Sequence, residues 1–203
     1  MRRRIWIGFL VTEAALYAAF LMMDLLQLGS SDALKFIAIS LVALMAVCFV
    51  KDRLIVAALC LTAAADVFLL LLDRYYTAGI LLFCGVQICY ALYLDGEKGL
   101  PLRMIPAVAA GLIGCRAGWL SGLSVGYITL FFCNLLRAAI SAKQNPLFAL
   151  GLLLFFCCDL CVGYYNIGSG VLWDFARVAM WGYYLPGQVL ILVSARMTGG
   201  TYE

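Results

Sequence analysis

Two aspartates stand where a carboxyl is costly to place. Asp66 follows Leu61-Thr62-Ala63-Ala64-Ala65 inside one apolar run, and Asp159 follows Phe155-Phe156-Cys157-Cys158 at a similar depth in another. A charge near the centre of a bilayer costs about 2.5–3.5 kcal/mol on insertion scales, so such groups face a bundle interior or a wet cavity. Histidine is absent, which removes the commonest proton shuttle near neutral pH and the commonest metal ligand. Acid–base work then falls to Asp, Glu, Lys, Tyr or water. Two carboxyls in different surroundings let one site keep both a proton donor and an ionised partner, and Asp66 and Asp159 are the candidate functional pair. The plainer alternative is a structural Asp–Lys pair, with Lys35 at the start of the second apolar run as the partner, or interhelical hydrogen bonds.

Other polar residues recur at helical spacing within apolar runs. Trp173, Arg177, Trp181, Tyr184 and Gln188 form a stripe at intervals of three and four, with Pro186 expected to kink the helix beside it. Tyr76, Gly79, Phe83, Gln87 and Tyr90 form a second face, Trp6, Glu13 and Tyr17 a third, and Tyr127, Asn134 and Arg137 a fourth. Aromatics near span ends are often interfacial, and buried amides often join helices. Glu13 is harder to dismiss, because a mid-span carboxyl needs a proton or a partner. The nine cysteines read as small buried hydrophobes, and Cys158 with Cys161 lacks the second pair that a metal site needs. No phosphate loop, nucleophile elbow or zinc motif is present, and no serine has a histidine to activate it.

These residues must be carried by membrane helices. The 203 residues are 66% hydrophobic and 12% charged, with mean hydropathy +1.04, against roughly 45–50% and about 25% in a soluble domain. A soluble enzyme and a disordered chain are excluded, and a net charge of +3 gives no reason to expect a nucleic-acid partner. Hydropathy delimits eight segments: Ile5–Leu26, Ala33–Val50, Leu54–Leu72, Tyr76–Leu94, Pro101–Cys115, Gly122–Ile140, Pro146–Tyr165 and Leu172–Ala195. The first is too long for a signal peptide and contains Glu13, so it reads as a retained helix. The fifth, with Arg103 and Pro106 inside it, is the weakest.

Basic residues orient the bundle. With the N-terminus inside, ten fall at cytoplasmic ends (Arg2, Arg3, Arg4, Lys51, Arg53, Lys98, Arg103, Arg137, Lys143, Arg196) and four at outer ends (Lys35, Arg74, Arg116, Arg177). The expected fold is an all-α integral membrane protein: a single transmembrane domain over residues 1–203, a bundle of about eight helices with both termini cytoplasmic, in a bacterial plasma membrane.

Five motifs follow one another in a recognisable order. Asp32-Ala33-Leu34-Lys35-Phe36 opens an early span, and Ala65-Asp66 precedes Val67 and a leucine run. Then come Ala78-Gly79 with Val86-Gln87-Ile88-Cys89-Tyr90, Cys158-Asp159, and Tyr183-Tyr184-Leu185-Pro186-Gly187-Gln188. This order resembles the YhhN family, polytopic membrane proteins that include the lysoplasmalogenases, over about residues 30–95 and 146–195. The family motifs are Lys-Pro-Leu, Gly-Asp, Ala-His before a Tyr, Ser-Asp and Tyr-Tyr-x-x-Gln. Here Pro is missing after Lys35, Ala65 replaces Gly, Cys158 replaces Ser, and Gln87 stands where the family has His.

The resemblance implies hydrolysis of the vinyl ether of a lysophospholipid, without metal or organic cofactor. Such an ether cleaves when an acid protonates its β-carbon and water adds to the resulting oxocarbenium ion. That chemistry needs one protonated and one ionised carboxyl, as with glycosidic acetals. On this expectation Asp66 and Asp159 are the acid–base pair, and Lys35 or Arg177 meets the lipid phosphate near the outer interface. Gln87, Tyr90, Tyr184 and Gln188 line the substrate cavity. If the family His is essential, Gln87 makes this an altered or inactive hydrolase; if the acids do the work, activity persists. The second class is a transporter or binding protein for a lipid or small amphiphile, which intramembrane acids also suit. The 93-residue separation of Asp66 and Asp159 hints at a four-plus-four parallel repeat.

Overall fold

The computed structural model describes residues 2–198, without the side chain of Arg2, so the expected cytoplasmic placement of Arg2 and of the chain ends falls outside the described residues. Helices follow one another as α1 (Arg2–Leu26), α2 (Asp32–Phe49), α3 (Arg53–Asp66), α4 (Tyr76–Gly114), α5 (Trp119–Ile140), α6 (Pro146–Ile167) and α7 (Val171–Thr198). A π-helical turn, Val67–Leu71, extends α3, and its defining bond runs from the Leu72 N–H to the Val67 carbonyl at 2.9 Å. All seven, α3 with its extension, are long and apolar enough to cross a membrane. Their outer faces carry residues such as Leu102, Ile105 and Ile140, while Glu13, Lys35, Asp66, Gln87, Arg103, Asn134 and Gln188 are buried. That inside-out distribution is what a lipid solvent selects.

The expected eight segments resolve into seven helices because the fourth and fifth are joined through one residue. Gly96 takes φ 63°, ψ −162° inside α4, a conformation essentially restricted to glycine, and divides it into α4a (76–95) and α4b (97–114). The chain reverses there. The Arg103 guanidinium donates to the Ala91 carbonyl at 3.2 Å, whereas a straight helix would set these residues about 18 Å apart at ~1.5 Å per residue. Both halves pack on α5 in opposite senses. On α4b, Gly111 meets Gly122 and Ala107 meets Gly126; on α4a, Phe83 meets Tyr127, Gln87 meets Asn134 and Asp95 meets Arg137. The expected break over Asp95–Gly99 is thus a tight hairpin, closed by Asp95 and its two arginines.

The helices that carry the two aspartates start alike. Asp52 accepts from the N–H groups of Leu54 and Ile55 at the start of α3, and Asn145 accepts from the Phe148 N–H at the start of α6, where Pro146 takes the first position. Both are N-caps of the favoured type. The caps are 93 residues apart, as Asp66 and Asp159 are, so each carboxyl lies at the same height above its helix start. The ends of the bundle also meet: the Arg196 guanidinium of α7 stacks 4.0 Å from the Trp6 ring of α1.

Candidate functional site

Asp66 is the last residue of α3 before the π-helical turn and is only 5% exposed. Such local widenings recur at functional sites. Its Oδ2 accepts a hydrogen bond from the Tyr184 hydroxyl of α7 at 2.7 Å. Asp159, half-buried on α6, accepts from the Tyr127 hydroxyl of α5 at 2.5 Å. The two carboxyls are within electrostatic reach of each other. Phe155 lies between their partners, with ring centroids 5.6 Å from Tyr184 and 5.7 Å from Phe83, which in turn is 6.0 Å from Tyr127. Among the described residues no cation bonds either carboxyl, and each Oδ1 is without a protein partner. Each aspartate is therefore oriented through one oxygen and free at the other.

Two close contacts fix the frame around the pair. Gly151 and Gly187 let α6 and α7 touch through their backbones: a Cβ on Gly151 would lie 2.8 Å from the Gly187 carbonyl, and one on Gly187 would lie 2.9 Å from the Gly151 carbonyl. On the other side of α7, the Tyr17 hydroxyl donates to the Gly182 carbonyl at 2.9 Å. Pro186 has no N–H to offer that carbonyl, so Tyr17 replaces the missing helical bond. α7 runs unbroken through Pro186.

Lys35 corrects an expectation. It pairs with Asp24, Nζ to Oδ2 at 3.0 Å, and lies 5.2 Å from the Trp181 ring centroid, rather than meeting Asp66 or Asp159. The reason is local: the short α1–α2 connection brings the last turn of α1 beside the first turn of α2, and the Ser31 hydroxyl also donates to Asp24, at 2.5 Å. Arg177, half-buried near the start of α7, has no ion-pair partner among the described residues.

The amides and phenols divide similarly. Gln87 is fully buried; its Oε1 accepts from the Asn134 amide at 3.0 Å and its Nε2 is unpaired. Tyr90 packs edge-on against Phe148 at 5.6 Å, and its buried hydroxyl has no partner. Gln188, one turn beyond Tyr184, is fully buried with both polar atoms unpaired. Both carboxyl oxygens of Glu13 are also buried and unpaired. These atoms lack partners among the described residues, and unpaired buried polar atoms are rare enough in folded proteins that each marks a place where a ligand, a water or a catalytic role fits. The outer ends of the two stripes lie elsewhere: Tyr76 is exposed and bonds Asp73, and Trp173 stacks on Tyr165 at 4.8 Å. Tyr127 is the residue the expected site lacked. Its spacing of seven from Asn134 put it on an inward face, but nothing in that spacing distinguished it from an interfacial aromatic.

The residues brought together lie on α3, α4a, α5, α6 and α7. A profile of the YhhN family matches residues 30–195, which span all five of these helices. The chain belongs to the YhhN family. The match leaves out the whole of α1, so Glu13 and Tyr17 lie outside the shared region. Neither a curated protein nor a solved structure matches this YhhN chain.

Proposed function

We propose that this YhhN-family protein is a lysoplasmalogenase-like membrane hydrolase that cleaves the vinyl ether of a lysophospholipid with Asp66 and Asp159. The observation that carries the reading is the pair itself. Two neighbouring intramembrane carboxyls are each held by one tyrosine, and each keeps one oxygen free of the protein. The reaction calls for one of the two carboxyls to hold a proton and the other to be ionised. One member donates that proton to the β-carbon of the ether, giving an oxocarbenium ion at the α-carbon. The other, ionised, stabilises the cation and takes a proton from the water that adds there. The hemiacetal then collapses to a fatty aldehyde and a glycerophospho-alcohol, and the proton borrowed at the start has been returned by the water consumed.

Supporting residues follow from the same geometry. Lys35 is neutralised by Asp24, so Arg177 is the better partner for the lipid phosphate. Gln188, Tyr90 and Gln87 offer unpaired polar atoms toward a bound headgroup, glycerol or water. The family His is Gln87 here, and its Oε1 is already engaged by Asn134. The acid–base steps are therefore assigned to the aspartates and none to position 87. The ten-to-four distribution of basic residues supports a cytoplasmic face for the end that holds Trp6 and Arg196, in a bacterial plasma membrane.

The test is aldehyde release from a lysoplasmalogen by the purified protein in detergent, with Asp66→Asn and Asp159→Asn beside the wild type. The reading predicts aldehyde from the wild type and at least a hundredfold loss in each variant, with both variants still folded by thermal unfolding. Normal turnover in either variant would remove that residue from the pair, and no aldehyde from folded wild type would refute the hydrolase.

A further inference from the structure

About 15 Å along α5 from Tyr127, at ~1.5 Å per residue, the described residues leave a cavity of about 250 Å³ at the turn between α5 and α6, bordered by Tyr93, Arg137, Ser141, Gln144, Asn145 and Phe148, with Thr198 of α7 at its edge. Its chemistry is one-sided. Arg137 donates Nε to both oxygens of Asp95, at 2.7 and 2.9 Å, and Nη1 to the Ser141 hydroxyl at 2.6 Å, leaving Nη2 without a partner among the described residues. The Ser141 oxygen accepts in that bond, so its own proton is available. The Tyr93 hydroxyl accepts from the Asn145 amide at 3.3 Å and likewise keeps its proton to donate.

Charge points the same way. Among the described residues Arg103 and Arg137 share one carboxylate, Asp95, which leaves these three side chains with an excess of one positive charge beside the cavity. The wall formed by Asn145 and Phe148 is the N-terminal end of the 22-residue helix α6, where the helix dipole is positive. The α5–α6 turn is where the chain leaves the apolar layer, so the cavity sits at headgroup depth. It is also too far from the aspartates to hold the phosphate of a lipid whose ether bond lies between them. We propose that this cavity is a separate binding site for the phosphate oxygens of an anion at that membrane face. Arg137 Nη2 and the hydroxyls of Ser141 and Tyr93 are the donors, and Gln144 is at the rim.

The test reads the thermal unfolding midpoint of the full-length protein in neutral detergent. Phosphatidylglycerol, phosphatidylcholine and, without lipid, inorganic phosphate are titrated separately. A saturable rise with phosphatidylglycerol and none with phosphatidylcholine or phosphate assigns the site to an anionic lipid headgroup. An equal rise with phosphate alone assigns it to a free anion. Arg137→Gln is expected to lose the response, but it also loses the bonds to Asp95. Gln144→Glu leaves those bonds intact while adding a carboxylate at the rim, and should weaken half-saturation at least tenfold. No rise with either anion in the wild type, or an undiminished response in folded Gln144→Glu, would overturn the site.

Discussion

The Gly182 carbonyl, deprived of its helical donor by Pro186, takes the Tyr17 hydroxyl instead, and Tyr184 sits two residues further along the same turn. Tyr17→Phe leaves a half-buried acceptor unsatisfied, at an expected cost of about 0.5–1.5 kcal/mol, visible as a lowered unfolding midpoint in detergent; an unchanged midpoint would mean the bond contributes nothing. Tyr184 acts on Asp66 through a 2.7 Å bond. A hydrogen bond to a charged group contributes about 1.5–3 kcal/mol, so Tyr184→Phe should slow turnover roughly ten- to hundredfold with KM little changed. A rise in KM alone would make Tyr184 a binding residue. At this scale the sequence was readable wherever a polar group interrupts an apolar run, as Asp66, Asp159 and Gln188 do. The partner of Lys35 was not readable. Depth along a helix gives no direction around it, and Asp24 lies across a connection whose path spacing alone does not set.

Helices α6 and α7 are held at backbone contact by Gly151 and Gly187, and they carry Asp159 and Tyr184. A methyl added at Gly151 has no room, and overpacking of this kind typically costs about 1–3 kcal/mol. Gly151→Ala should therefore destabilise the protein and impair turnover together; a stable, fully active variant would show that the helices separate without consequence. Gly96→Ala tests the hairpin. Its φ of 63° with ψ of −162° is a glycine conformation, and forcing it on another residue costs on the order of 1–3 kcal/mol. An unaltered unfolding midpoint would contradict the reversal at that residue. The helices themselves were legible, because long apolar runs between short polar breaks leave few alternatives. The nature of the break at Asp95-Gly96-Glu97-Lys98-Gly99 was not. Its composition reads as a loop, whereas the pairing of Asp95 with Arg103 and Arg137 across three segments lets all but Gly96 stay helical.

Viewed whole, the molecule buries polar groups such as Glu13, Gln87, Asn134 and Gln188 while leaving many large apolar side chains exposed, and it brings the beginning of α1 to the end of α7 through Trp6 and Arg196. Reporters fused at the two ends should therefore register the same compartment, the cytoplasm by the ten-to-four count of basic residues; opposite compartments would contradict the topology. Membrane class and the order of the acid-bearing helices were plain from composition and motif order, but the meeting of five helices around one carboxyl pair required the fold. Catalysis by that pair requires delivery of a proton to carbon, and hydrolysis of a lysoplasmalogen in D2O tests this most directly. Protonation of the β-carbon predicts an aldehyde with one deuterium on the carbon next to the carbonyl. Aldehyde without deuterium there would contradict acid catalysis by Asp66 and Asp159, and no aldehyde from folded protein would contradict the hydrolase itself.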